Sequence, residues 1–249
     1  MVGREGGMEK IRELDGIPQY VQRSAEWFEQ RKDKLTSSDA ATALGLNPYQ
    51  SREELLFKKC GVNNVFVGNV ATEYGQKYES EAIRMYEMAM GKKNHEYGLI
   101  CYGSVVGKCC FEDWCVGLEF LAGSPDGVAE DVRGVEDLLL LEVKCPFRRR
   151  IVLGEVPEYY YPQVQLNMFI LGLKKADYIE YRPPMFGKEM VLNIVRVGLD
   201  LDWVRENVKV LGEFWKEWRY WKEVGIENHP RYGYYKFKET QSLNKKLKI

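Results

Sequence analysis

Leu138 to Val143 reads Leu-Leu-Leu-Leu-Glu-Val, and Lys144 follows. A run this apolar reads as a strand buried on both faces, which requires a sheet with other elements packed above and below it. Strand side chains alternate, so Glu142 and Lys144 point to one face and Val143 to the other. An acid and a lysine two apart at the end of such a strand are costly to bury unless they find partners. A divalent cation is one such partner. Upstream, Gly123-Ser124-Pro125-Asp126-Gly127 holds Asp126 on a Pro-Gly turn, well placed to be a second carboxylate. Magnesium takes oxygen ligands, typically one or two carboxylates with waters and a substrate phosphate. On that reading Asp126, Glu142 and the carbonyl of Val143 hold the metal, which lowers the pKa of a bound water to make a nucleophile. Lys144 orients that water or stabilises charge developing on the phosphorane. The alternative is a turn aspartate beside a strand-end Glu–Lys salt bridge. Any one of these residues alone suggests that reading; the ordered set on this kind of strand favours the metal.

Other residues fit around this centre, each with a plainer reading beside it. On the helix expected over Asn69 to Met90, Ala71, Tyr78, Ala82, Met85 and Ala89 cluster on one face. Glu79 flanks that face, three, four and seven residues before Ala82, Ile83 and Tyr86. It completes a second metal position or is a semi-buried surface acid, and Glu81 flanks the opposite edge. On the helix expected from Glu158, Gln163 and Asn167 share a face, where an amide holds a phosphate oxygen or the attacking water, or merely makes that face polar. Arg31 precedes Thr36-Ser37-Ser38-Asp39 and a short helix. An arginine, a hydroxyl and a helix start suit a phosphate, while capping by Ser38 or Asp39 explains the same residues.

The chain of 249 residues shows no repeat and no low-complexity linker, so residues 1–227 read as one domain followed by a loose basic tail, 228–249. Helices are expected over Ser24–Lys34, Ser38–Leu44 and Ser51–Cys60, with β-like runs at Gly98–Val106 and Val116–Gly123. Leu138–Cys145 is the clearest strand. Glu158–Leu171 is helical, strands follow around Ala176–Tyr181 and Glu189–Val197, and a helix spans Leu201–Val224 with Val204, Val208, Leu211, Trp215 and Trp218 inward. The pattern predicts an α/β or α+β core, a central mixed sheet flanked by helices. Net charge is −1, which argues against a nucleic-acid binder until its distribution is considered. The tail carries Arg231, Lys236, Lys238, Lys245, Lys246 and Lys248 against Glu239, as a DNA contact or as a solvated end. The cysteines at 60, 101, 109, 110, 115 and 145 form neither a disulfide framework nor a CxxC pair, and reduced thiols are expected. Zinc at Cys109 and Cys115 has no histidine nearby. No apolar run approaches the roughly 18–20 residues of a membrane span, and Met1–Lys10 is not a signal peptide; an intracellular location is expected.

Six segments in order resemble the phage-lambda-type alkaline exonucleases, a viral recombination family of the PD-(D/E)XK nuclease superfamily. They are Trp27-x-x-x-Arg31, Leu35-Thr36-Ser37-Ser38-Asp39, Gly75-x-x-Tyr78-Glu79, Gly123 to Gly127, Leu141-Glu142-Val143-Lys144-Cys145-Pro146 and Tyr161-Pro162-Gln163-Val164-Gln165. They lie within about residues 23–173; beyond that no motif matches. The resemblance implies a PD-(D/E)XK, restriction-endonuclease-like core and a magnesium-dependent 5′-to-3′ exonuclease, with Mn2+ as a substitute, degrading one strand of linear double-stranded DNA in recombination or repair. It assigns metal residues to Asp126 and Glu142 with Glu79 nearby, the catalytic lysine to Lys144 and the active-site glutamine to Gln163. It places a 5′-phosphate pocket at Arg31, Ser38 and Ser124. It also implies a trimeric ring threaded by DNA and a single-strand annealing partner, with no membrane. The rivals are an endonuclease of the same fold, which has no 5′ end to grip, and a catalytically inactive DNA-binding protein. Iron–sulfur relatives need cysteines after the core, and none follows Cys145.

Overall fold

Strand β6, Leu139–Lys144, lies at the centre of a five-stranded sheet in the computed structural model, which describes residues 2–62, 70–105, 113–185 and 187–246. Its neighbours are β5 (Gly127–Asp131), antiparallel, and β7 (Lys175–Arg182), parallel. The outer strands β2 (Lys92–His95) and β8 (Val191–Gly198) pair antiparallel with β5 and β7. The parallel pair needs a crossover, and helix α6, Tyr161–Leu171, supplies it. A small second sheet holds β4 (Leu121–Gly123) between β1 (Leu35–Thr36) and β3 (Ile100–Cys101). The Ser124-Pro125-Asp126 turn therefore joins the end of one sheet to the start of the other.

Both faces of the main sheet are covered, as the leucine run requires. Leu140 packs with Val128, Ala176 and Tyr178 into the larger core, with α6 and with helix α7, Leu201–Val224. Leu139, Leu141 and Val143 face the other way, against Ala82, Ile83 and Tyr86 of helix α5, Val70–Met90. The buried α5 face differs from the expected one: Ala71 and Ala89 are exposed. Alanine methyls bury little area, so the large Tyr86 and Ile83 set the phase. Asn69, expected at the helix start, lies outside the described residues.

Helix α7 keeps its expected bounds, with Val204, Val208, Leu211 and Trp218 buried and Trp215 packed against them. Helices α2 (Ala25–Lys32) and α4 (Arg52–Lys59) follow N-caps Ser24 and Ser51, the latter in a capping box. The runs at 98–106 and 116–123 shrink to β3 and β4, and Val106 lies outside the described residues. Strands β2 and β5 were not expected. Lys92-Lys93-Asn94-His95 has no apolar alternation, and its position at a sheet edge explains that charge. Helix α1, Val2–Asp15, was also unexpected; its Leu14 is fully buried.

The segment expected as a loose tail contains helix α8, Tyr232–Lys246, docked on α4. Tyr235 stacks on Phe57 at 4.1 Å and donates to Glu53, while Arg231 pairs with Glu53 and Lys238 with Glu54 at 3.1 Å. Two of the tail's cations thus answer α4 acids. The side chains of Lys245, Lys246 and Lys248 lie outside the described residues. Cys60, Cys101 and Cys145 are free, but Cys115 is disulfide-bonded, a departure from uniformly reduced thiols. Cys109 and Cys110 lie outside the described residues. Among the described residues no helix is long and apolar enough to cross a membrane.

Candidate active site

The turn between the two sheets carries Asp126 to the edge of β6. Its Oδ2 accepts the Val143 backbone N–H at 2.6 Å, locking the turn to the strand. Glu142 is completely buried, and both its oxygens are engaged. Lys144 Nζ donates to Oε1, and Nδ2 of Asn167 on α6 donates to Oε2 at 3.1 Å. Lys144 Nζ also lies 4.0 Å from Asp126 Oδ2 and 5.3 Å from the Tyr160 ring centre. Strand alternation puts Glu142 and Lys144 on the α6 side, and α6 answers with Asn167. Gly123 allows that approach: a β-carbon there would collide with Asn167 Oδ1, a buried oxygen with no hydrogen-bond partner among the described residues.

Burial, then the charge of Glu142 and more weakly that of Glu79, pushes the Asp126 carboxyl up to about 8. Burial alone would lower the Lys144 ammonium, but Glu142 and Asp126 outweigh it and raise it. With both Asp126 and Glu142 ionised, one ammonium would leave a negative charge in excess, in a place where unpaired charge is expensive, so without a cation Asp126 holds its proton toward about pH 8. All the charged donors here are hard oxygens. Asp126 and Glu142, tied together through the Val143 backbone N–H, offer carboxylate oxygens of the kind a hard divalent cation takes.

Glu79 is not drawn into that pair: Arg23 donates to its Oε2 at 3.0 Å. Among the described residues no three acidic, histidine or cysteine side chains close into a metal cluster. Glu81, the other candidate on α5, accepts from the Tyr181 hydroxyl at 2.5 Å, so Glu79 is the acid on the Asp126 side. Gln163 is half-buried on α6 and is not hydrogen-bonded to the cluster. Gln165 is taken up elsewhere, donating to the Gly198 carbonyl at 2.9 Å and accepting from Asp200 N–H at 2.8 Å. Of the two amides the sequence placed on one face, Asn167 is the one that touches a candidate-site carboxylate. Its burial was the missing signal.

A second constellation begins two residues before Asp126. Arg31 lies over the Trp27 ring at 4.1 Å and donates to Thr36 Oγ1 at 3.1 Å, Ser38 Oγ at 3.0 Å and Ser124 Oγ at 3.4 Å. Trp27 Nε1 donates to the same Ser124 hydroxyl at 3.2 Å. All three expected pocket residues thus meet, with Trp27 and Thr36 added. The capping expectation needs correction. Helix α3, Ser37–Ala43, starts a residue earlier, with Thr36 at its N-cap position and no side-chain cap. Thr36 instead donates to Asp39 Oδ2 at 2.8 Å, and Lys59 pairs with the same oxygen at 2.8 Å. Burial would raise the Asp39 carboxyl, but Lys59 and Arg31 hold it below its ordinary range. These residues form a cluster of hydroxyls around one arginine, and the cluster shares the turn that carries Asp126.

The fold, a central mixed sheet flanked by helices, is of the PD-(D/E)XK type. Two solved structures of an alkaline exonuclease from Laribacter hongkongensis share it. The first covers 81% of this chain and 95% of its own at 21% identity, with TM-score 0.61; the second, in complex with dAMP, covers 82% and 96% at 21% identity, with TM-score 0.62. The YqaJ-like viral recombinase domain matches residues 26–174, and the chain belongs to that family. An uncharacterised protein of Acanthamoeba polyphaga mimivirus is 31% identical over 175 residues, 66% of this chain and 30% of its own length. A protein of African swine fever virus is 28% identical over 168 residues, 59% of this chain and 45% of its own. The chain thus spans less than half the length of these viral relatives.

Proposed function

We propose that this chain is a magnesium-dependent exodeoxyribonuclease acting 5′-to-3′ on one strand of linear double-stranded DNA, in viral recombination or repair. The observation that carries this reading is the single turn shared by the two constellations. Ser124 faces Arg31 and Asp126 faces Glu142 and Lys144, two residues apart and so at most about 7 Å along the chain. A pocket for a terminal phosphate this close to a hydrolytic centre suits removal of the end nucleotide, and an internal cutter has no use for it. The alkaline exonuclease fold and the recombinase family support the same reading.

A divalent cation, held by Asp126, Glu142 and the Val143 carbonyl, would polarise the scissile phosphate and activate the attacking water; Mn2+ would substitute. Lys144 places its ammonium where negative charge develops on the phosphorane and keeps its proton. Asn167 fixes the Glu142 rotamer. Gln163, half-exposed on the same helix, would hold a phosphate oxygen or the water once DNA fills the cleft. Arg31, Ser38 and Ser124 would grip the 5′-phosphate, with Trp27 holding the guanidinium flat. Residues 1–227 form one nuclease domain on this reading, and the basic segment 228–249 is an appendage seated through α8. A homotrimeric ring and a single-strand annealing partner rest on the resemblance to the lambda-type enzymes.

Incubated with magnesium, 5′-phosphorylated linear duplex should shorten progressively on a gel while covalently closed circles persist. Cutting of the circle moves the assignment to an endonuclease; inertness toward both favours the non-catalytic reading. Arg31→Ala should narrow the rate advantage of 5′-phosphorylated over 5′-hydroxyl ends by roughly tenfold or more, as expected when charge-assisted hydrogen bonds are lost. An unchanged ratio would place the pocket elsewhere.

A further inference from the structure

Arg23 is the non-glycine residue that holds a left-handed backbone among the described residues, with φ 71°. A β-carbon is strained in that region and glycine is not. The surroundings hold the loop in place nonetheless. Gln22 Nε2 donates to the carbonyls of Tyr97 at 2.9 Å and Pro125 at 3.0 Å, so the loop is tied to the very turn that carries Asp126. Ser24, on the other side, caps α2 by accepting from Trp27 N–H. From this position the guanidinium reaches across to Glu79 Oε2 at 3.0 Å, and Arg23, Glu79 and Asp126 line one cleft of about 760 Å3. The side chains are 48% and 27% exposed, so the ion pair is one that competing charges can displace.

Glu142, which accepts from Lys144, and Glu79, which accepts from Arg23, both add their charge at Asp126. A cation between Asp126 and Glu79 would take the place that the Arg23 guanidinium now holds.

Resting on the nuclease reading, we propose that Arg23 is a resident cation on the Glu79 side, so that the DNA-free protein takes one divalent ion and admits a second only when Arg23 leaves Glu79. A phosphate of the incoming strand is the natural competitor, because guanidinium pairs bidentately with phosphate. Glu79 is thereby a ligand held in reserve, and Arg23 is a positioning residue that ties its release to substrate.

The test is a titration of the full chain with Mn2+ in the absence of DNA, free ion being followed by electron paramagnetic resonance. Wild type should bind one equivalent. Arg23→Gly, which suits the left-handed backbone and should keep or raise the thermal midpoint, should bind two. Adding Glu79→Gln to it should return the count to one, and Arg23→Lys, which keeps the charge, should also bind one. Equal counts in wild type and Arg23→Gly overturn this inference and leave the nuclease reading standing. A second equivalent that persists in the Glu79→Gln double variant overturns it too, by placing that ion elsewhere. Wild type that binds no Mn2+ overturns both.

Discussion

Replacing Lys144 by alanine should lower the cleavage rate on linear duplex by roughly 10²–10³-fold or more, the loss expected when one preorganised charge-stabilising donor is removed. Its ammonium sits against Glu142 and 4.0 Å from Asp126, so it is aimed at the place where the cation and the scissile phosphate would meet. DNA affinity, measured on the same duplex at fixed salt, should change little. One lysine is a small share of the phosphate contacts that dominate binding. Lys144→Arg should not rescue the rate, because a planar fork cannot take the place of a compact point charge between two carboxylates. Full activity in Lys144→Ala would end the mechanism proposed above.

Asp126→Asn should be equally inactive, and its effect on stability should run in the opposite direction. The Asp126 carboxyl titrates at about 8 in the folded, metal-free chain, against about 3.9 in an unfolded one. The folded state therefore keeps a proton that the unfolded state has already released. By linkage, this group's contribution to stability is intact below about pH 4 and falls as pH rises toward about 8. Asparagine accepts the Val143 N–H as well and has no charge to desolvate. In chelator, the thermal midpoint of Asp126→Asn should exceed that of wild type by a margin that grows between pH 6 and about pH 8, where Asp126 ionises. Magnesium should raise the wild-type midpoint most at alkaline pH, where Asp126 is ionised, and leave the variant unmoved. A margin that does not vary with pH would mean that Asp126 is not the buried, acid-crowded group described here.

Much of the site was legible along the chain because its logic is local. A run of leucines this long must be buried, its alternation puts Glu142 and Lys144 on one face, and a Pro-Gly turn offers Asp126 as the second carboxylate. That Arg31 and Ser38 come together was suggested by their types and spacing and Ser124 by the family resemblance, but the partners of Ser38 and Asp39 were not legible. Capping and side-chain bonding use the same residue types, and only the observed start of α3 separates them.

The sequence by itself determined the strand, the facing of its acid and lysine, and the long helices α5, α6 and α7, since period and capping are properties of neighbouring residues. Only the tertiary structure decided which amide of α6 reaches Glu142, because that depends on how deeply the helix sinks against Gly123. It decided that Glu79 and not Glu81 faces Asp126, and that Arg23 holds it, across 56 residues of chain. It also seated α1 and α8, whose modest apolar content becomes a face only when Leu14 and Tyr235 find the cores prepared for them. Contacts of this kind are written in the meeting of two surfaces, and neither surface alone specifies its partner.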